Sequence, residues 1–505
     1  MKDIFFVLVL LIISARSLCS QPGRIDSSFG SNGIIIPDIR TSNSLPSYEG
    51  ECVAAILPDG RIVMTTPKEI TSQSTMGIAV LSYHPTGIVD SNFGTSSYGE
   101  TDVVLDHEAY VSSIGLQSDG KIIVSGWSRI DFNYGMFILR FLPDGSRDLS
   151  FGNKGIGWVF VESATVMSAS MRILPNDNII LGGSVTKEQN KTSLLIAKCN
   201  ANGILDTTFG NKGHVSYNTI AAADKVEDLT FDQYGRIYAI AGNSSLLLRF
   251  TSSGVVDSSF GIAGAVTFSC YSGQIIVRPN DILLAASCSN PAVISLDTTG
   301  AYNTVFAGTG KKVIDDPDKS NLVYALAIQA NQKIIVSATA YNNTTRIYRL
   351  TPQGELDNSF GNAGSVTLPL GEGQFGGVYS IVLQNDGKIL LSGFNSTYPY
   401  LIRLFGDDIS GVSSSTSAVA PITINPNPVT SDRLTIRSAL FEEEPIKKVE
   451  LFNEIGSLRT TLYPEVVTDH GISALHIDLD PELPSGHYYC LITTQSKQYQ
   501  AAFIK

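Results

Sequence analysis

Seven times along the chain a Phe stands three residues after an acidic or amide side chain and six after a glycine. The copies centre on Phe29, Phe93, Phe151, Phe209, Phe260, Phe306 and Phe360. Their glycines are Gly23, Gly87, Gly145, Gly203, Gly254, Gly300 and Gly354; their acids are Asp26, Asp90, Asp148, Asp206, Asp257 and Asp357, with Asn303 in the sixth copy. A carboxylate at fixed spacing has two uses. It can ligate a cation, or it can accept hydrogen bonds from the N–H groups of the turn that follows it. A residue needed in every repeat is needed to build the repeat, so the second use is the expected one. The glycine then marks a turn of positive φ, and each Phe is a buried wedge worth roughly 1.5–3 kcal/mol.

Other reactive residue types are sparse or scattered. His84, His107 and His214 fall in different repeats, without His-x-x-x-His or His-Glu-x-x-His spacing, so metal hydrolysis has no support. The chain has no Gly-x-Ser-x-Gly elbow and no Cys-x-x-Cys pair. Asp315-Asp316-Pro317-Asp318 and Asp407-Asp408 lack EF-hand spacing and read as solvated loops. Glycosidase carboxylates converge in space rather than in sequence, so such a pair stays open at this level. Arg140, Lys198, Arg249, Arg349 and Arg403 sit amid apolar neighbours and read as repeated structural partners of an Asp or a carbonyl. No metal and no cofactor is implied.

The elements that position these residues are strands. The Phe copies recur at intervals of 46 to 64 residues, the period of a propeller or solenoid. After each copy a short strand opens at or near a glycine, as at 33–37, 213–217 and 264–268. An apolar run then ends in a tight turn such as Pro58-Asp59-Gly60, Ser118-Asp119-Gly120 or Asn385-Asp386-Gly387. A third strand (121–126) and a fourth (137–141) lead back to the next Phe. These inner strands are almost continuously apolar, as strands covered on both faces are. The first short strand precedes any inner set, and the last inner set, ending at Phe405, has no short strand after it. A ring pairs these two ends, whereas a solenoid leaves both bare. The expected fold is all-β: a seven-bladed β-propeller over 23–408, with residues 33–37 completing the blade built from 378–405. Cys270 and Cys288 lie equally far from the turn near Pro279, opposite each other across a hairpin, and are expected to form a disulfide.

Composition sets the surroundings. The 505 residues are 43% hydrophobic and 16% charged with 45 Gly, in keeping with an all-β protein. A net charge of −12 without any basic run argues against a nucleic-acid partner. Residues 1–20 place Lys2 before the apolar run Ile4–Ile13 and small residues at Ser17-Leu18-Cys19-Ser20; they read as a signal peptide too short to span a membrane. No other stretch reaches spanning length. Residues 409–421 form a Ser-rich linker, and residues 422–505 carry the short strands of a small β-sandwich.

Two families are resembled. Gly354-Glu-Leu-Asp-Asn-Ser-Phe-Gly361 followed by Gln384-Asn-Asp-Gly-Lys-Ile389 resembles the delta-60 repeat of bacterial secreted proteins, over residues 23–405. The copy at 300–310 departs from it at Asn303 and Ala307. The C-terminal unit resembles the type A sorting domain of the type IX secretion system, through Asn425-Pro426-Asn427-Pro428-Val429, Val449–Gly456, Leu483–Tyr489 and Phe503-Ile504-Lys505. That resemblance implies passage through the periplasm, export across the outer membrane by a secretion machinery that reads this domain, and release or attachment at the cell surface.

In a propeller the Asp-Gly turns and the Phe copies share one face, and the remaining connections share the other. The first group is nearly uniform here, and the second varies, so ligand binding is expected on the second face. Its richest segments are Trp127–Tyr134, with Trp127, Phe132 and Tyr134, and Phe394–Tyr400, with Phe394, Tyr398 and Tyr400. Aromatic rings beside Asn and Asp suit sugar stacking or a protein hot spot. The expected function is a non-enzymatic, exported scaffold for a glycan or protein ligand. An extracellular glycan hydrolase or lyase is the alternative.

Overall fold

The computed structural model describes residues 21–39 and 51–407, with breaks at 71–74, 97, 106–107, 131–132, 163, 188–190, 219–223, 243–244, 321, 341, 343, 371–376 and 396–397. Beyond 407 it describes 423–425, 433–437, 446–453, 458–462, 466–469, 472–480, 487–494 and 498–504. The segments read from the sequence as a signal peptide (1–20) and a linker (409–421), Phe132, and parts of the motifs that resemble a sorting domain lie outside the described residues. The chain divides into Met1–Asp407 and Asp408–Lys505.

Every regular element described is a strand. In the first unit, apolar runs separated by tight turns fold into seven four-stranded antiparallel sheets. The first strands of the sheets are Val53–Ile56, Ala109–Leu116, Thr165–Ile173, Val226–Phe231, Tyr271–Val277, Leu322–Ile328 and Gly377–Leu383. Each touches the first strands of both neighbouring sheets, and the seventh meets the first, so these strands wall a closed ring around an axis. The sheets are the blades of a seven-bladed propeller. The closure is the predicted one: Ile34–Ile35 pairs with Pro399–Leu404 of the seventh blade, Ile34 opposite Ile402 and Ile35 opposite Leu401.

Apolar side chains fill the spaces between blades. Val63, Ile78 and Val103 of the first blade pack on Ile122, Val124 and Phe137 of the second. At the closing interface, Phe29 and Ile35 join Met64 and Ala79 to Leu390 and Leu401. The middle strands have no solvent face, which explains their unbroken apolar runs.

The repeated phrase is an inter-blade latch. All seven Phe rings are essentially inaccessible. Six of the rings lie under the glycine turn of the following repeat: a Cβ on Gly145 would fall 2.6 Å from Phe93, and one on Gly354 would fall 2.7 Å from Phe306, while Gly23 closes on Gly361 beside the seventh. The residue after each Phe donates its N–H to the following repeat, Gly94 to Asp144 O (2.7 Å), Gly152 to Asn202 O (2.8 Å) and Ala307 to Gln353 O (2.7 Å). Gly361 donates to Pro22 O (2.8 Å), which carries the same bond across the chain ends.

The acids and bases of the repeat belong to this latch. Asp148 Oδ1 accepts from Ser150 N (3.0 Å) and Ser150 Oγ (2.5 Å). Arg140 Nε donates to Asp148 Oδ2 (2.9 Å), Arg140 Nη1 donates to Ala201 O of the next repeat (3.0 Å), and its guanidinium lies 4.7 Å from the Phe151 ring centre. Arg249, Arg349 and Arg403 repeat the ion pair and the ring contact with Asp257, Asp357 and Asp26 and with Phe260, Phe360 and Phe29. The first blade has Ser82 at the arginine position, and Arg61, just before the second strand, supplies the cation to Asp90 (3.0 Å). At Asp357 burial favours the neutral acid, but hydrogen bonds from Ser359 and Lys333 and the charge of Arg349 outweigh it and bring the carboxyl down to about 2.

Two details differ from the sequence reading. The second and third strands of the second blade run Ile122–Ile130 and Asn133–Phe141, so most of the segment read as a loop at 127–134 is hairpin. Its mixed residues broke the apolar run that marked the strands, but cross-strand packing of Trp127 on Tyr110 continues the sheet. The acidic stretch at 315–318 is not simply solvated. Asp316 is fully buried; it accepts from Ser320 N (2.8 Å), and Arg346 pairs with Asp318 (2.6 Å). Cys270 and Cys288 are disulfide-bonded, with Cα atoms 4.6 Å apart.

The second unit is a β-sandwich of two four-stranded sheets. Leu434, Ile436 and Ile477 are buried in one, and Val449, Leu451, Cys490 and Ile492 in the other. Among the described residues no helix is long and apolar enough to cross a membrane.

Deleting residues 21–37 removes the closing strand, the Pro22 acceptor, Asp26 beside Arg403 and the Phe29 wedge. We expect a large fall in melting temperature relative to the full chain, measured by calorimetry; equal melting temperatures would contradict the closure.

Candidate functional site

The residues that the latch uses are occupied. A site must come from positions where the repeats differ, and the first strands contain one such level. Six of them shift register against their neighbour at the same place: between Val111 and Ser113, Ser168 and Ser170, Val226 and Asp228, Ser272 and Gln274, Val323 and Leu326, and Val378 and Ser380. A bulge inserts one residue, bends the strand and re-aims side chains, which is why bulges gather beside functional sites. The residues at this level are Ser112, Ala169, Glu227, Gly273, Tyr324 and Tyr379, with Cys52 at the matching place in the first blade. Equivalent positions thus carry six residue types in seven blades, in contrast to the repeated Phe and Gly.

The level lies near the end of the axis away from the Phe copies, and polar groups converge there. On the third and fourth blades, Arg172 Nη2 donates to both oxygens of Asp228 (2.8 and 2.9 Å), and Arg172 Nη1 donates to Met171 O (2.9 Å). Asp228 also accepts from Ser170 Oγ (2.6 Å), Leu229 N (2.9 Å) and, from the fifth blade, Ile275 N (3.1 Å). Lys225 lies 3.3 Å from Glu227. On the sixth and seventh blades the rings of Tyr324 and Tyr379 stand 4.9 Å apart, tilted by 52°. Both are half-buried, and Tyr324 packs flat enough on Gly377 that a Cβ there would fall 2.8 Å from its ring.

Glu51 joins these walls. Its N–H donates to Val111 O of the second blade (3.1 Å). The charges acting on its carboxyl are those of Lys225, Glu227 and Asp228 of the fourth blade and Arg172 of the third. Desolvation is the largest influence; Lys225 and Arg172 oppose it, Glu227 and Asp228 add to it, and the carboxyl is pushed up to about 8. Glu51 is therefore mostly protonated at neutral pH and can donate as well as accept a hydrogen bond. Burial pushes the neighbouring Cys52 thiol up to about 12, and burial with Tyr324, Glu51 and Cys52 nearby keeps the Tyr379 phenol protonated. The arrangement offers an aromatic wall, a polar wall and a neutral acid around one axial mouth.

The aromatic residues singled out from the sequence have other surroundings. Trp127 is half-buried, stacked on Tyr110 (4.3 Å) and 5.8 Å from Tyr134. Phe394 packs against the core between the seventh and first blades. Tyr398 is half-buried, its N–H donating to Asn395 Oδ1 (3.0 Å). Tyr400 is a core residue, fully buried, its hydroxyl donating to Gly377 O (2.9 Å). The bulge residues were not singled out from the sequence. A signal was present: each stands five residues before the residue that opens the tight turn, Glu227 before Asp232, Tyr324 before Gln329 and Tyr379 before Gln384.

The propeller fold agrees with the family comparison. A family model described as "Domain of unknown function (DUF5122) beta-propeller" matches residues 117–151, 174–209 and 329–360. No curated protein sequence matches the chain. Among solved structures, a virginiamycin B lyase from Staphylococcus aureus aligns with 11% identity and a TM-score of 0.44, over 74% of this chain and 98% of that one. The α-L-arabinofuranosidase Arb93A from Fusarium graminearum aligns with 9% identity and a TM-score of 0.39, over 74% and 97%. A protein of unknown function from Bacteroides caccae aligns with 12% identity and a TM-score of 0.35, over 64% and 99%.

The raised carboxyl at Glu51 fixes a pH dependence. Between its ordinary value of 4.5 and about 8 the folded state holds a proton that the unfolded state has lost. The Glu51 contribution to stability therefore falls as pH rises through that window. Glu51→Gln removes the effect. It should raise the melting temperature relative to wild type at about pH 8 and leave a smaller difference near pH 5; an equal difference at both would contradict the assignment.

Proposed function

We propose that this chain is an exported binding scaffold without catalytic activity, whose ligand, a glycan or a protein, enters the axial mouth. The observation that carries the reading is the contrast within one repeat. Positions that recur in every copy are consumed by the inter-blade latch, whereas the bulge level, on equivalent backbone, has diverged to Ser, Ala, Glu, Gly and Tyr. Structural necessity explains the first set but not the second. Export rests on the leader-like segment 1–20 and on the likeness of the C-terminal unit to a type A sorting domain. In this reading the secretion machinery takes the chain from the periplasm across the outer membrane, and the propeller is the delta-60-like cargo, released or held at the surface.

A second reading has one specific observation in its favour. Burial and the charges of Glu227 and Asp228 push the Glu51 carboxyl up to about 8, against the opposing Lys225 and Arg172. A protonated carboxyl near a second carboxylate is what a glycan hydrolase or lyase requires. The full chain applied to a glycan array, with reducing-end release assayed on every glycan it binds, separates the two. Binding without turnover is the expected result; release of reducing ends that Glu51→Gln abolishes would establish the enzyme instead.

A further inference from the structure

We infer that the axial mouth takes the terminal residue of a neutral glycan, its ring stacked on the Tyr324–Tyr379 pair and its hydroxyls hydrogen-bonded from the Glu51 side. The inference rests on the binding reading above and narrows it to one ligand chemistry.

Three features point the same way. The first is charge. Lys225 is paired with Glu227, and Arg172 with both oxygens of Asp228. Asp228 has further donors in Ser170, Leu229 and Ile275. Glu51, facing Lys225, Glu227, Asp228 and Arg172 and bordered by Cys52 and Tyr379, carries no charge over most of the neutral range. These cations and anions are paired with one another, so none of the four is left over to hold a carboxylate, a sulfate or an ammonium group. A chain terminus of a protein and an acidic sugar are both poorly matched to it.

The second is the pairing of surfaces. A pyranose presents an apolar C–H face and an equatorial belt of hydroxyls. The tilted, half-buried tyrosine pair matches the face. A neutral carboxyl matches the belt, because it can donate to one hydroxyl and accept from another, which an ionised carboxylate cannot do. The third is access. First strands from all seven blades wall the axis, so a ligand enters along it and presents an end rather than a middle.

The test uses the full chain on an array of neutral oligosaccharides in which terminal sugars and interior linkages vary independently, beside uronic-acid and sulfated glycans. We expect signal that sorts by the neutral terminal sugar. Tyr379→Ala should weaken that binding about tenfold or more, while Tyr379→Phe, which keeps the ring, stays within about twofold. Wild-type affinity should fall severalfold from about pH 7 to about pH 9, and Glu51→Gln, which stays neutral, should lose this dependence. The pH comparison between wild type and Glu51→Gln decides the matter where Tyr379→Ala does not fold. Preference for acidic glycans, signal that follows interior linkages, unchanged affinity in a folded Tyr379→Ala protein, or the same pH profile in wild type and Glu51→Gln would each overturn the inference. Binding to a protein alone overturns it and leaves the scaffold reading standing. Turnover of a neutral glycan that binds by its terminal sugar overturns the scaffold reading and leaves the ligand class standing.

Discussion

The seating of a repeat's Phe under the glycine turn of the next repeat, seen for six of the seven, is the contact on which the architecture depends. The turn must approach the ring closely, and Gly203, at φ +76°, has both the missing side chain and the backbone conformation for it. The amide after the Phe crosses the same gap to a carbonyl of the next turn. The arginine of the third strand spans it again, pairing with its own Asp and reaching a carbonyl of the neighbour, as Arg249 does to Thr298 O (2.7 Å). Apolar burial, a hydrogen bond and a charged contact thus act between the same two blades, and each is out of place if the other two shift. Every blade is latched to the next, so a ring in which Pro22 receives Gly361 leaves no blade with an unlatched side.

The latch also decides where chemistry can reside. Its carboxylates and guanidiniums are numerous, but they are directed at one another and at backbone groups. Buried ion pairs of this kind are weak sources of stability and stronger sources of register, because a displaced partner leaves an uncompensated charge. With the Phe face committed to construction, the opposite end of the axis is left to vary. The bulges allow that variation without disturbing the ladders on either side: pairing resumes at Ser113 with Ser125 and at Ser380 with Ser392 as it does in neighbouring blades. A repeat can therefore change the side chain it offers to the axis while keeping its place in the ring.

The same division explains why Glu51 behaves unlike the acids of the repeat. Asp357 and Glu51 both lose water, but Asp357 meets Arg349, Lys333 and the donors of its own turn and stays ionised. Glu51 faces two cations that already serve Asp228 and Glu227, so desolvation prevails and it holds its proton. Desolvation is common to the two; the supply of uncommitted donors differs, and that supply is a property of the assembled axis.

The sequence alone determined the repeat, the strand order within it, the all-β class, the number of blades and the closure between residues 33–37 and the last inner set. These follow from local spacing: a turn glycine, an apolar run of fixed length and the phase of the first and last copies are all written along the chain. It also determined that the repeated Asp, Arg and Phe are structural, since a role required seven times cannot be particular to one site. The tertiary structure decided where the unrepeated residues meet. Trp127, Phe394 and Tyr400 are aromatic residues next to breaks in the apolar pattern, and only packing revealed that Trp127 stacks within a hairpin, that Phe394 borders the core and that Tyr400 lies within it. Glu51, Arg172, Glu227, Tyr324 and Tyr379 come from five different blades and are separated by up to hundreds of residues. They share one environment because seven first strands converge on an axis. That convergence comes from ring closure and appears in no local window of sequence.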